Sequence, residues 1–362
     1  MRKEIPARLI LENGAVFYGK SFGSHKSSSG EVVFSTAMVG YPESLTDPSY
    51  EGQILTLTYP IIGNYGVAPK GMTDGISDFF ESNSIHVRGL VVLDYSDNYS
   101  HWNAGGSLGE WLVEQDVPAI YGIDTRQLTK VLREEGTMSG KIVIGDDAND
   151  NDDGATDFYH PTKENLVAKV SCTEVKEYSG GEKRVVLLDC GVKHGVVRHL
   201  LSKGVHVIRV PWDYNFNAME YDGLFISNGP GNAELCRATV DNIRMAMNSN
   251  KPILGVGMGN ELLALAAGAR VYKLKCGHHG DNQPVRRVGE ETCYITQQNH
   301  DYAVDASGLG SEWEAYFENM NDGTNEGIRH RTKPFVGVQF MPETADEATD
   351  TEFLYQQFID SL

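Results

Sequence analysis

From residue 183 onward, short apolar runs alternate with helical patterns across tight glycine turns, and few architectures accept that order. KRVVLLDCG reads as a buried strand, VVRHLLSKG as a helix and VHVIRVP as a second strand. DGLFISNGPGN and KPILGVG supply two more strands, each ending in glycines, and the helix NELLALAAGA follows. PFVGVQFMPE adds a last strand and a turn. Strands joined by single helices run parallel, so the pattern predicts a doubly wound parallel α/β domain over residues 183–362.

The first 145 residues follow a different grammar. Short β-like runs crowd together: ARLILENG, AVFYG, EVVFSTAMVGYPE, QILTLTYPIIG and HVRGLVVLDY. Two helical patterns, SLGEWLVEQ and DTRQLTKVLREEG, follow them, the second with Asp124 as N-cap and Gly136 as C-cap. The mixture predicts a β-rich α+β domain over residues 1–145. The acidic, glycine-containing stretch GDDANDNDDGATD (145–157) marks a linker, with a connecting segment over 146–182. It lacks the ligand spacing and terminal glutamate of a calcium loop. No internal repeat of solenoid period is present.

Length and charge agree with a two-domain reading. A chain of 362 residues exceeds one ordinary small domain. Its 31 basic and 50 acidic residues give a formal charge of -19, which argues against nucleic acid or an anionic membrane surface as partner. No apolar stretch approaches the roughly 20 residues of a membrane span. The opening MRKEIPARLILENG lacks the apolar core and cleavage site of a signal peptide. Five cysteines, widely spaced and without a C-x-x-C pair, suit reduced thiols better than disulfides or zinc. The expectation is a soluble, cytoplasmic protein.

Ligands of open parallel sheets gather at the carboxyl ends of the strands. Three segments deliver residues there: ISNGPGN (226–232), GVGMGNE (255–261) and VQFMPE (338–343). The SNGPG amides could hold a carboxylate or an oxyanion, although an ordinary βα turn reads the same way. GVGMG is more specific. A nucleophile mounted between strand and helix needs small residues two positions to either side, and Gly255 and Gly259 supply them around Gly257. Gly257 itself has no side chain. The G-x-G-x-G spacing also lacks the third glycine position of a dinucleotide fingerprint.

At this point the chain resembles the small, glutamine-amidotransferase subunit of carbamoyl-phosphate synthetase over nearly its whole length. The first half carries GEVVFSTAMVGYPESLTDPSY, QILTLTYPIIGNYG and GIDTRQLTKVLREEGTMSG. The second carries LDCGVKHG, DGLFISNGPGN, LALAAGA, KCGHHGDNQPV, QQNHDYAVD and VGVQFMPE. Other class I amidotransferases would share only the second half. The resemblance implies a cysteine nucleophile, a histidine acid–base and a glutamate orienting that histidine. It implies ammonia passing through a tunnel to a large subunit. There ATP, magnesium and bicarbonate would give carbamoyl phosphate for pyrimidine and arginine synthesis. It implies an N-terminal domain that docks on the large subunit, and no cofactor or metal in this chain.

Carried over position by position, the family's nucleophilic cysteine falls on Gly257 and its histidine on Met341, while the glutamate survives as Glu343. Glycine offers no nucleophile and a thioether shuttles no proton. Ser49, Gly229, Gly231 and Asn299 match glutamine contacts, and Tyr302 stands where an aromatic is expected. Glu261 replaces a glutamine, Asp301 a glycine, Asn260 a histidine and Met258 the usual leucine. Cys190, Cys276 and Cys293 lie near the family motifs but on no elbow, and His278, His279 and His300 match positions other than the base. The leading expectation is a non-glutaminase small subunit supporting an ammonia-using large subunit. A conventional glutaminase subunit is the alternative. A third is a regulatory ligand-binding pseudoenzyme whose pocket holds glutamine or another small ligand, with Glu261, Asp301 and Glu343 as three carboxylates receptive to an ammonium or amine.

Overall fold

A computed structural model of the chain describes residues 4–145, 157–343 and 349–362. The described residues form two compact units, Met1–Lys163 and Glu164–Leu362. Most of the acidic stretch expected as a linker lies outside the described residues. Residues 164–182, expected to be part of the connection, belong to the second unit, where Lys176–Tyr178 pairs with its sheet.

Seven strands of the first unit close into a barrel: β1 (Pro6–Leu11), β2 (Val16–Ser21), β3 (Ser28–Ser35), β4 (Gln53–Ile62), β7 (Gly89–Tyr95), β8 (Ala119–Tyr121) and β9 (Met138–Ile144). A two-stranded hairpin, β5 (Met72–Thr73) and β6 (Ile76–Ser77), stands apart from it. Parallel pairs β3–β4, β4–β7 and β7–β8 join antiparallel ones around the ring. Both expected helices form. Leu108–Glu114 is capped by Ser107, whose hydroxyl accepts from the Glu110 amide, and Thr125–Glu135 by Asp124, whose carboxylate accepts from the Gln127 amide at 2.9 Å. Gly136, at φ 100°, ends the second helix.

The second unit is a ten-stranded sheet. Its middle is parallel: β12 (His206–Pro211), β11 (Arg184–Asp189), β13 (Gly223–Ile226), β14 (Ile253–Val256) and β19 (Phe335–Val338), in that order. Val185, Val186, Leu187 and Leu188 are all fully buried, as a strand covered on both faces requires. β10 (Lys176–Tyr178) edges one side. On the other, an antiparallel wing of β18 (Asn325–His330), β17 (Trp313–Asn319), β15 (Arg270–Arg287) and β16 (Cys293–Asp305) extends the sheet beyond the parallel set. The strand order turns outward in both directions from β11. The crevice beyond the carboxyl ends of β11 and β13 is therefore the switch point where such sheets place ligands. Among the described residues, no helix is long and apolar enough to cross a membrane.

Candidate functional site

Three adjacent parallel strands, β13, β14 and β19, end at one edge and deliver SNGPG, GVGMG and QFMPE together. Gly257 caps the helix Met258–Ala266 with φ 57° and ψ -117°, a backbone conformation costly for any residue with a Cβ. Its amide donates to the Val338 carbonyl at 2.9 Å, which ties the turn to β19. A Cβ on Gly255 would lie 2.4 Å from the Gly259 carbonyl oxygen, and one on Gly259 would lie 2.1 Å from that of Ile226. The flanking glycines are thus required by backbone against backbone. The turn has the geometry of a strand-to-helix elbow, and its tip, Gly257, carries no side chain.

Opposite the turn stands Met341, almost fully buried, with its amide donating to the Gln297 carbonyl at 2.9 Å. Its Cε lies 3.3 Å from the place a Cβ on Gly257 would take, and Cβ of Asn228 lies 3.4 Å from it. The two positions expected from the resemblance to hold nucleophile and base are therefore neighbours in space, and neither residue can transfer a proton.

Glu343, also buried, has taken other partners. Its Oε1 lies 3.2 Å from Lys193 Nζ, and its Oε2 accepts from the Tyr355 hydroxyl at 2.9 Å. The Lys193 approach has ion-pair distance without the alignment of a hydrogen bond. Lys193 is positioned by the loop after β11. There the buried Asp189 accepts from the amides of Gly191 and Val192, each at 2.9 Å, while its other oxygen receives Arg209 at 2.6 Å and the Cys172 amide at 2.7 Å. His199 packs edge-on against Tyr355, with ring centroids 4.6 Å apart. Burial, partly countered by Glu343, lowers its pKa.

The expected glutamine contacts divide into groups. Gly229 approaches the backbone so closely that a Cβ would meet the Cys190 carbonyl oxygen at 2.0 Å, and Gly231 holds φ 82°. Both shape the SNGPG turn, which Asn228 braces by donating to the Gly191 carbonyl at 3.0 Å. Met258 and Tyr302 are buried within the apolar core beneath the edge. Asn299 faces His279, Oδ1 to Nδ1 at 2.8 Å, and Asp301 lies 3.3 Å from the same ring's Nε2. Ser49 belongs to the first unit, where its amide donates to Asp47 Oδ1 at 2.8 Å.

Glu261 is drawn into a buried amide chain. Asn260 Nδ2 donates to Gln339 Oε1 at 2.8 Å, and Gln339 Nε2 donates to Glu261 Oε1 at 2.8 Å. Burial pushes the Glu261 carboxyl up to about 8; the Gln339 hydrogen bond opposes this and the charge of Asp301 adds to it. The three carboxylates suggested as a cation pocket thus have separate partners: Gln339 for Glu261, His279 for Asp301, Lys193 and Tyr355 for Glu343. Cys190 is fully buried, and burial drives its pKa well up.

Lys193, Tyr355 and Gln339 were not singled out from the sequence. Lys193 carried a signal, a lysine within the buried-strand turn DCGVKHG, whereas Tyr355 and Gln339 reach the site only through tertiary packing.

The fold and this edge define a class I glutamine-amidotransferase domain joined to a barrel unit. Residues 9–142 match the carbamoyl-phosphate synthase small chain, CPSase domain, and residues 186–361 match glutamine amidotransferase class-I. The chain belongs to the carbamoyl-phosphate synthase small-chain family. It is 47% identical over 357 residues to "Carbamoyl-phosphate synthase [ammonia], mitochondrial" of Homo sapiens, covering 97% of this chain and 23% of that protein. It is 46% identical to "Multifunctional protein pyr1-3" of Dictyostelium discoideum, covering 98% of this chain and 17% of the relative. The chain thus spans less than a quarter of the length of these relatives. Among solved structures, a glutamine amidotransferase from Thermotoga maritima aligns with 49% of this chain and 81% of its own, at 18% identity and a TM-score of 0.36.

Proposed function

We propose that this chain is a carbamoyl-phosphate synthase small-chain module that does not hydrolyse glutamine. A large-chain partner, separate or continuous with it, would use free ammonia with ATP, magnesium and bicarbonate. The pairing of Gly257 with Met341, whose Cε lies 3.3 Å from where a Gly257 Cβ would stand, carries this reading. Amide hydrolysis by this class of site needs a nucleophile and a proton carrier at those two positions. The barrel and the elbow frame are complete around the lost chemistry, which fits a module kept for assembly with its partner. The naming of the human relative for ammonia points the same way.

The test is carbamoyl phosphate formation by the chain together with its large partner, with glutamine or ammonium as nitrogen donor. Activity with ammonium and none with glutamine supports the reading. Equal competence with glutamine, or glutamate release by this chain alone, returns it to the conventional glutamine-hydrolysing role.

A further inference from the structure

The β15–β16 ladder presents two sets of side chains, because neighbouring residues on a strand face opposite ways. His279, Asn299 and Asp301 share one face; His278, Gln298 and His300 share the other. Onto the second face β18 brings Glu326, which is fully buried, the end of β17 brings Asn319, and the turn between them brings Asp322.

Ligand-capable atoms of four residues converge there. Gln298 Oε1 lies 2.9 Å from His278 Nδ1 and 3.1 Å from His300 Nε2. Glu326 Oε1 lies 3.2 Å from His278 Nδ1, and Glu326 Oε2 lies 3.9 Å from His300 Nε2. The outward nitrogen of each ring is committed: His278 Nε2 faces Asp322 Oδ2 at 3.0 Å, and His300 Nδ1 faces the Tyr302 carbonyl at 2.8 Å. Those oxygens only accept, so one proton on each ring sits outward, and a neutral ring then turns a lone pair inward. The Gln298 amide is held at its other end as well. Its Nε2 donates at 3.1 Å to Thr296 Oγ1, whose own proton goes to the Gln283 carbonyl. Asn319 Nδ2 supplies a donor at the rim, 2.9 Å from Glu326 Oε1 and 3.4 Å from His278 Nδ1.

That leaves His300 Nε2 lone pair against carbonyl oxygen, and Glu326 Oε2 buried with no hydrogen-bond partner among the described residues. Protonating His278 alone does not relieve the contact at His300. Protonating both rings would bury two imidazolium ions with centroids 4.8 Å apart. A dication answers every acceptor at once. Tetrahedral zinc bonds of 2.0–2.2 Å put neighbouring donors about 3.4 Å apart; one ligand atom from each of His278, His300 and Glu326 lies within 4.8 Å of the others, and Gln298 Oε1 lies 2.9 and 3.1 Å from the two ring nitrogens. The surroundings also have the outer partners that metal-bound histidines use, a carboxylate behind His278 and a backbone carbonyl behind His300.

We propose that His278, Gln298, His300 and Glu326 bind one zinc-class divalent cation. It clamps β15, β16 and β18 from behind and steadies the ladder face bearing Asn299 and Asp301. The ligands come from three strands, which is why no compact spacing in the sequence announces them. The site is independent of whether the chain hydrolyses glutamine.

The experiment uses the full chain stripped with chelator, reloaded with Zn²⁺ or Co²⁺ alone, gel-filtered and analysed by elemental mass spectrometry. Expected are one equivalent of metal per chain and visible tetrahedral bands in the cobalt form. Glu326→Gln should lose both, and Asp322→Asn should weaken binding by about 10–100-fold. Circular dichroism verifies folding, and if Glu326→Gln fails to fold, the half-exposed Asp322→Asn decides. Substoichiometric metal on the wild-type chain, or full retention by a folded variant, overturns the proposal.

Discussion

The methyl carbon of Met341 ends 3.3 Å from the point where a Cβ on Gly257 would stand. One residue supplies the empty place and the other closes over it. The arrangement separates two properties that an active elbow combines, a strained turn and a reactive group. Here the turn persists and glycine relieves its strain.

Replacing the elbow glycines should therefore give a ranked loss of stability. Gly257→Ala meets the flexible Met341 tip at 3.3 Å and Cβ and Cα of Asn228 at 3.4 and 3.6 Å, so its main cost is the backbone conformation, about 1–3 kcal/mol. Gly259→Ala should cost more, because its Cβ would lie 2.1 Å from the Ile226 carbonyl oxygen and the helix must shift. Urea unfolding followed by circular dichroism gives the order. Equal stability of Gly259→Ala and wild type would show that the turn is looser than described.

The thiols should behave as buried structure. Alkylation of the native chain should label the exposed Cys293 first, while the fully buried Cys190 and Cys236 react only on unfolding. Burial, with the nearby Glu261 adding to it, pushes Cys236 up to about 12, so little thiolate exists at neutral pH. Mass spectrometry of peptides after iodoacetamide treatment reads this directly. Native labelling of Cys190 that also stopped glutamate release would reveal a relocated nucleophile.

How much of this was legible beforehand differs between parts of the chain. The parallel strands and the elbow could be read because VVLL, ILGV and GVGMG declare burial and close approach locally. The antiparallel wing could not, since β15 and β16 mix polar and apolar residues and owe their pairing to partners far along the chain. The same holds at the site. Gly257, Met341 and Glu343 were identified by position, and they do share one edge. That Glu343 would turn to Lys193 and Tyr355 follows only from how the helix Phe353–Ser361 packs. Met258 and Tyr302 likewise lie in the core, a placement that motif position alone does not specify.

The Lys193–Glu343 pair predicts a non-additive mutant cycle. Both side chains are less than a tenth exposed, 7% and 3%. Lys193→Met strands a buried carboxylate and should cost about 3–5 kcal/mol. Adding Glu343→Gln should recover much of that loss, whereas Tyr355→Phe removes one charged hydrogen bond and should cost about 1.5–3 kcal/mol. Denaturant midpoints of Lys193→Met, Glu343→Gln and the double variant supply the cycle. Strict additivity would mean that the two groups do not sense each other.

Glu261 makes stability fall as pH rises. Burial raises its folded pKa to about 8, above the ordinary glutamate value of 4.5. Between those values the folded state holds a proton that the unfolded state has released. Unfolding free energy contributed by this group is therefore full below about pH 4.5 and declines up to about pH 8, by at most about 1.4 kcal/mol per pH unit. Glu261→Gln keeps an oxygen to accept from Gln339 and cannot ionise. It should match wild type near pH 4.5, exceed it progressively towards pH 8 and run parallel beyond. Asp301 and Cys236 also face this carboxyl, and both are left in place, so the difference between the two curves isolates Glu261. Parallel curves across the whole range would mean that Glu261 is ionised in the folded chain, and the buried amide chain with Gln339 would then have to hold a full charge.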